Sequence, residues 1–480
     1  VASGTLPNGK PVILKADGTV EVVGESSTAV AESIPAGSAV AFSGNTHYPS
    51  VSFDPNTAGK FIIAYSDSGN SWYGTAIVGT VSGTSITFGS EQVFSSAATY
   101  YTSIAFDPNT VDTLVITYQS GSVGKAVVGT VSGTSITFGS DYVFNAGNTE
   151  HISVSFDPNT AGKFVVVYRD TGNLFVSSDY GTAIAGTISV STITFGAEYV
   201  FKSANASESK VAFDPNTAGR FVVVFTDNGN SGYATAIVGT VSGTTLTFGS
   251  DYVFNSGAYS EHLSISFDPN TAGKFVVSYM DGGNSNYGTA IVGTVSGTSI
   301  SYGAEYVFSS FTTYYTSIAF DPNTTNKFVV VYRDAATYYG DAVVGTVSGT
   351  VITFGSKSTF NNGSSAYSVM SFDPNTAGKF VVVDNNITPE GRAILGQIAA
   401  TAIVTNLTTD NFLGTSTEAY ADTDTATILL QGGISTNQSG LTIGSDYYVQ
   451  EDGTLATTAD TISVKLGKAL SATSILLSGE

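Results

Sequence analysis

The stretch Ser264-Ile265-Ser266-Phe267-Asp268-Pro269-Asn270-Thr271-Ala272-Gly273-Lys274-Phe275-Val276-Val277 decides how this chain is read. Ser264 to Phe267 alternates small and large residues, the two-residue period of a strand with one buried face. Asp268-Pro269-Asn270 is turn chemistry, because proline fixes φ while Asp and Asn bond their own backbone. Phe275 to Tyr279 reads as a second strand and Asp281-Gly282-Gly283-Asn284 as a second turn. A third strand from Thr289 to Val295, the tight turn Ser296-Gly297 and a fourth strand from Ser299 to Phe308 complete an antiparallel meander.

The unit recurs along the chain. Phe-Asp-Pro-Asn-Thr occurs seven times, with Phe at 53, 106, 156, 213, 267, 320 and 372, spaced 50 to 57 residues apart. Such a period, with several short strands per unit, is the signature of propeller blades. The last copy lacks a fourth strand, and the missing piece stands before the first copy, where Ser33–Ser43 aligns with Ser85–Ser95. The expected fold is all-β: a seven-bladed β-propeller over residues 33–400, with four-stranded blades and an N-terminal strand closing the last one. That closure leaves no free sheet edge. Residues 1–32 read as a β-hairpin segment. Residues 401–480 read as a small β domain with strands near 426–430, 446–450 and 462–466. Together they are expected to form one β module from both termini.

Composition narrows the function. The 480 residues include 17 basic and 38 acidic ones, a net charge of −21, which argues against nucleic acid as a partner. Cysteine is absent, so disulfides, thiolate metal sites and a Cys nucleophile are excluded. No apolar run approaches the ~18 residues of a membrane span, so no membrane insertion is expected. A leader removed before Val1 and release of an intracellularly assembled particle by lysis both agree with this composition. No Gly-rich phosphate loop, nucleophile elbow or zinc motif appears, and no cofactor is expected.

Two further patterns carry a resemblance. The repeat, closing in Tyr-Val-Phe-Asn, resembles propeller repeats in structural proteins of tailed phages, marine ones in particular. The segment Leu441 to Asp460, with Gly467 to Thr473, is similar to a C-terminal β module of phage tail and virion-surface proteins. The opening Ala2 to Val12 is similar to their N-termini. The resemblance implies a particle component and brings no catalytic residues with it.

Counting five residues back from each repeat Phe gives Tyr48, Tyr101, His151, Glu208, His262, Tyr315 and Tyr367. These precede the innermost strands and should ring one mouth of the central channel. One position earlier stand His47, Tyr100, Glu150, Ser207, Glu261, Tyr314 and Ala366. Aromatic faces beside carboxylates and imidazoles suit sugar recognition, since rings stack on C–H faces while polar groups bond hydroxyls. The same residues could simply plug the channel. Glycoside hydrolysis needs carboxyls about 5–10 Å apart, and Glu150 and Glu261 come from non-adjacent units. His47, His151 and His262 also alternate, which argues against a metal site. The loops at Asp67–Trp72, Asp227–Ser231 and Asp281–Ser285 partly resemble the Asp box of sialidases. They read as structural turns, with Ca²⁺ as the alternative. Arg169, Arg333 and Arg392 do not converge in spacing as a carboxylate-binding triad.

The expected function is therefore that of a non-enzymatic virion surface protein, a tail-fibre or tail-tip component or a capsid decoration. Its propeller would face outward for host attachment and its termini would anchor it. Expected partners are other virion proteins, further copies of the chain and a cell-surface glycan, at the virion surface or outside the cell. The alternatives are an extracellular lectin or adhesin and a polysaccharide-degrading enzyme.

Overall fold

A computed structural model describes residues 1–27, 39–172, 179–385, 390–398, 403–450, 452–459, 462 and 464–478. The chain divides into two compact units, residues 1–30 with 400–480, and residues 31–399.

In the repeat unit each Phe-Asp-Pro-Asn-Thr motif ends the first strand of an antiparallel meander. In the first copy Thr46–Phe53, Lys60–Asp67 and Tyr73–Ser82 pair in order, and Ser85–Phe88 and the start of Gln92–Phe106 share the outer edge. The second strands carry Phe, Val, Ile and Tyr on both faces because both are covered. Phe275, Val276 and Val277 are fully buried. The core lies between successive meanders, so Phe267, Phe275 and Tyr279 of one copy pack with Val222, Val224 and Val238 of the copy before. Full burial of each such side chain stabilises by about 1.5–3 kcal/mol. Gly293 is required by this packing, since a Cβ there would stand 2.1 Å from the Phe275 ring.

The fourth strand expected to end at Phe308 instead continues as Ser299–Phe320, into the first strand of the next meander. Its junction, Ser309-Ser310-Phe311-Thr312-Thr313, has no Gly or Pro to break an extended chain. Gln92–Phe106 crosses over in the same way, and Tyr142–Phe156 does so through Gly147.

Side chains of the repeat also tie each copy to the next. Ser50 Oγ accepts from the Ile104 amide at 3.1 Å, and Ser264 Oγ from the Ile318 amide at 3.1 Å. Asp107 Oδ2 accepts from the Gly162 amide at 2.8 Å, while Asn109 Nδ2 donates to the Pro158 carbonyl at 3.1 Å. The Asp and Asn bonds also join the last copy to the first: Gly59 N donates to Asp373 Oδ2 at 3.2 Å and Asn375 Nδ2 to the Pro55 carbonyl at 3.3 Å, while Phe53 N donates to Ser371 Oγ at 3.3 Å as Phe320 N does to Ser266 Oγ at 3.1 Å. The strand Val40–Ser43 pairs with Gly391–Gln397, supplying the edge that the last copy lacks. Residues 33–38 of the expected closing strand lie outside the described residues.

In the terminal unit Pro11–Leu14 pairs with Val20–Val22 and with Phe412–Ser416, so both chain ends share one sheet. A second sheet contains Asp446–Val449, Val464–Ser471 and Ser474–Leu477. Ile13 and Val23 pack with Leu407, Val449, Leu466 and Ile475.

Candidate functional site

Tyr48, Tyr101, His151, Glu208, His262, Tyr315 and Tyr367 all adopt the left-handed backbone conformation, with φ between +48° and +56°. They do not precede the innermost strands, as the sequence suggested; they lie inside them. Pairing skips at each one, for example between His47 and Ser50, Glu150 and Ser153, and Glu261 and Ser264. A bulge inserts an unpaired residue and re-aims its side chain while the ladder resumes on both sides. The left-handed conformation costs a non-glycine residue about 1–2 kcal/mol, and persists where the surroundings over-determine it. Thr102 Oγ1 donates to the Tyr48 carbonyl, and Thr316 Oγ1 to the His262 carbonyl, so at these two bulges the next copy holds the backbone.

The seven side chains line one cavity of about 370 Å³. They follow one another around it. Ring centroids lie 5.3 Å apart for Tyr48 and Tyr101 and 5.4 Å for Tyr101 and His151. His151 Nδ1 is 3.8 Å from Glu208 Oε1. His262 and Tyr315 are 5.1 Å apart, Tyr315 and Tyr367 4.9 Å, and Tyr367 and Tyr48 5.7 Å. The wall is therefore asymmetric, with four phenols along one arc and His151, Glu208 and His262 along the other.

Burial sets the protonation of this wall. It pushes the Tyr101 phenol up to about 12, and raises Tyr48 and Tyr315 in the same direction. It pushes His151 and His262 below the usual imidazole value, with the Glu208 carboxylate acting in opposition. At neutral pH these three phenols and two imidazoles are uncharged. That set can donate to and accept from hydroxyls while its rings cover C–H faces.

Among the lining residues that the sequence reading did not single out, one carries a charge. Lys210 opens onto the same cavity. Its position, three before the repeat Phe, is serine in five copies and valine at 369, so the departure from the repeat was the available signal.

The second tier is more dispersed. His47 stacks on Trp72 at 4.5 Å, and Trp72 on Tyr100 at 5.9 Å. Glu150 is held by Arg169 at 3.3 Å, Ser207 Oγ accepts from Asn228 Nδ2 at 2.9 Å, and Glu261 is bonded to Tyr259. Tyr314 lies under the Arg333 guanidinium, and Ala366 starts the strand Ala366–Phe372. Arg392 pairs with Asp384 at 3.1 Å, so Arg169 and Arg392 are each occupied by carboxylates of their own copy.

The Asp loops are short 3-10 turns at Ser68–Asn70, Asn228–Asn230 and Gly282–Asn284. Asp67 and Asp281 cap theirs by accepting from the Gly69 and Gly283 amides at 2.9 Å. Asp227 makes no such cap and pairs with Lys202 at 2.6 Å. Among the described residues no three His, Asp or Glu side chains gather as metal ligands. No helix among them is long and apolar enough to cross a membrane. A larger cavity, about 800 Å³, lies in the terminal unit beside Phe412, Tyr448 and Lys465. Its one cation, Lys465, is paired with Asp446 at 3.2 Å, and none of the expected site residues reaches it.

No protein family and no curated protein matches this sequence. Among solved structures the chain is similar to the BP39L lectin from Burkholderia pseudomallei, at 11% identity and a TM-score of 0.54, over 76% of this chain and 99% of that one. It is also similar to Sqt1 from Saccharomyces cerevisiae, at 9% identity and a TM-score of 0.46, over 77% of this chain and 100% of that one. The likeness to the lectin is one of fold, an all-β propeller-like architecture.

Proposed function

We propose that this chain is a seven-bladed β-propeller that binds carbohydrate at the cavity lined by Tyr48, Tyr101, His151, Glu208, His262, Tyr315 and Tyr367, and that it does so without catalysis. One observation carries this reading. Seven non-glycine residues at equivalent positions hold a strained backbone, yet their side chains are not uniform, being four tyrosines, two histidines and a glutamate. Parts serving only the fold, such as the Asp-Pro-Asn turns, are alike in every copy. Varied groups on a rigid, repeated frame are suited to recognising an asymmetric ligand. The lectin whose fold this chain shares supports the reading.

Single-site affinity is modest in this account and is raised by display of many copies. The resemblance of Leu441 to Asp460 supports display on a phage particle as a tail-fibre, tail-tip or decoration protein. There the terminal unit is the anchor to other virion proteins or sister copies. Electron microscopy of labelled particles tests that setting; absence of label from virions contradicts it. A glycan array comparing the wild type with Tyr101→Ala/Tyr315→Ala tests the binding site.

A further inference from the structure

We infer a second binding site, centred on Arg333, for the carboxylate of an acidic sugar. Arg333 and Arg169 occupy the same place in two copies of the repeat, and their surroundings differ in one respect. Arg169 faces Glu150 across the inner strand pair and also pairs with Asp179. In the other copy Tyr314 stands opposite Arg333. Tyr338, two residues before the Gly340 that pairs with Arg333, takes the place of Asp179, two before Gly181. Both carboxylates are thus replaced by tyrosines. The Arg333 guanidinium lies 5.1 Å from the Tyr314 ring centroid, 5.7 Å from that of Tyr315 and 5.0 Å from that of Tyr338.

No carboxylate among the described residues pairs with Arg333. Asp334 and Asp341, the nearest acids in sequence, are held by Lys357 at 3.5 and 2.8 Å. Ring faces hold a guanidinium in place but do not saturate its planar fork of donors. The Nε of Arg333 is buried without a partner, as is that of Arg169, so the difference lies in the outer nitrogens.

Beside this arginine opens a cavity of about 470 Å³, lined also by Thr337, Tyr338, Tyr339, Asn362 and Ser364. Tyr338 is 54% exposed and Tyr339 37% exposed. Tyr338 nevertheless sits at φ +64°, fixed by bonds from its amide to the Asp334 carbonyl and from the Ser365 amide to its own carbonyl. A fork of donors, two presented ring faces and neighbouring amide and hydroxyl groups match a pyranose bearing a planar carboxylate. The site does not rest on the reading of the seven-residue cavity, although Tyr315 borders both.

The test uses the full chain and titration calorimetry with trigalacturonate, its uncharged methyl ester and a sulfated trisaccharide. Trigalacturonate should bind and the ester should not. Arg333→Gln should weaken binding at least tenfold, and Arg333→Lys, which keeps the charge without the fork, should fall between. Asn109→Ala/Asn216→Ala, at residues lining neither cavity, should leave this binding intact; loss on Tyr48→Ala/Tyr101→Ala with Arg333→Gln unaffected would place the acid in the other cavity and overturn the assignment. If Arg333→Gln does not fold, Tyr338→Ala replaces it, with loss of affinity expected. Equal binding of acid and ester, full binding by Arg333→Gln or by its Tyr338→Ala replacement, preference for the sulfated probe alone, or no binding of trigalacturonate would each overturn the assignment.

Discussion

His151 Nδ1 lies 3.8 Å from Glu208 Oε1, although the two residues belong to successive copies of the repeat. Glu208 also acts on His262 in the following copy, so a single carboxylate serves two imidazoles. Both histidines are held below their usual value, chiefly by burial.

This arrangement predicts a pH dependence of stability. A histidine depressed in the folded state binds fewer protons there than in the unfolded chain as pH falls below about 6.5. Stability contributed by the neutral imidazoles is therefore complete above that pH and declines beneath it. Glu208→Gln removes the charge that favours protonation, so its decline should be larger. Urea midpoints between pH 5 and 8 check this; a flat profile through that window contradicts it.

The bulge conformation predicts an inverted order of two small residues. In an ordinary strand glycine is about 0.5–1 kcal/mol worse than alanine. At Tyr367, with φ +52°, glycine escapes the left-handed penalty. Tyr367→Gly should be more stable than Tyr367→Ala by about 1 kcal/mol in urea unfolding. The ordinary order would show that the site is not strained.

Packing between copies predicts a larger effect. Phe267 is 6% exposed, with its ring centroid 5.4 Å from that of Phe275. Phe267→Ala should lose about 3–5 kcal/mol. Gly293→Ala, which forces a methyl against the Phe275 ring, should lose about 1–3 kcal/mol.

Ring closure is testable at one hydroxyl. Ser371 accepts from the Phe53 amide as Ser266 accepts from the Phe320 amide. Ser371→Ala and Ser266→Ala should then cost the same, about 1 kcal/mol each. A loss at Ser266 alone would mean that the first and last copies are not joined in solution.

The repeat made much of this legible. The Phe-Asp-Pro-Asn-Thr copies mark the strand ends, and counting back from Phe reaches every residue of the seven-membered wall. The bulges were not legible, because Tyr and Glu, which fill five of the seven positions, carry no local preference for a left-handed backbone. That conformation comes from pairing on either side and from Thr102 and Thr316 of neighbouring copies. The sequence pattern ends the fourth strand at Phe308, whereas extended residues carry it on to Phe320 and bridge the two copies. Arg333 read as one of three scattered arginines. Its distinction lies in Tyr314 and Tyr338, which stand where Arg169 has carboxylates, and register alone brings those positions together.

Glycan binding by the wall from Tyr48 to Tyr367 can be read directly. The most direct measurement is a glycan array probed with the wild type, with Tyr101→Ala/Tyr315→Ala, and with Asn109→Ala/Asn216→Ala on the opposite turns. Each aromatic contact contributes about 0.5–1.5 kcal/mol beyond its buried area. A defined set of glycans should bind, with a loss of roughly tenfold or more in the tyrosine variant and unchanged binding in the asparagine variant. Binding that survives loss of the tyrosines but disappears with the asparagines would contradict it.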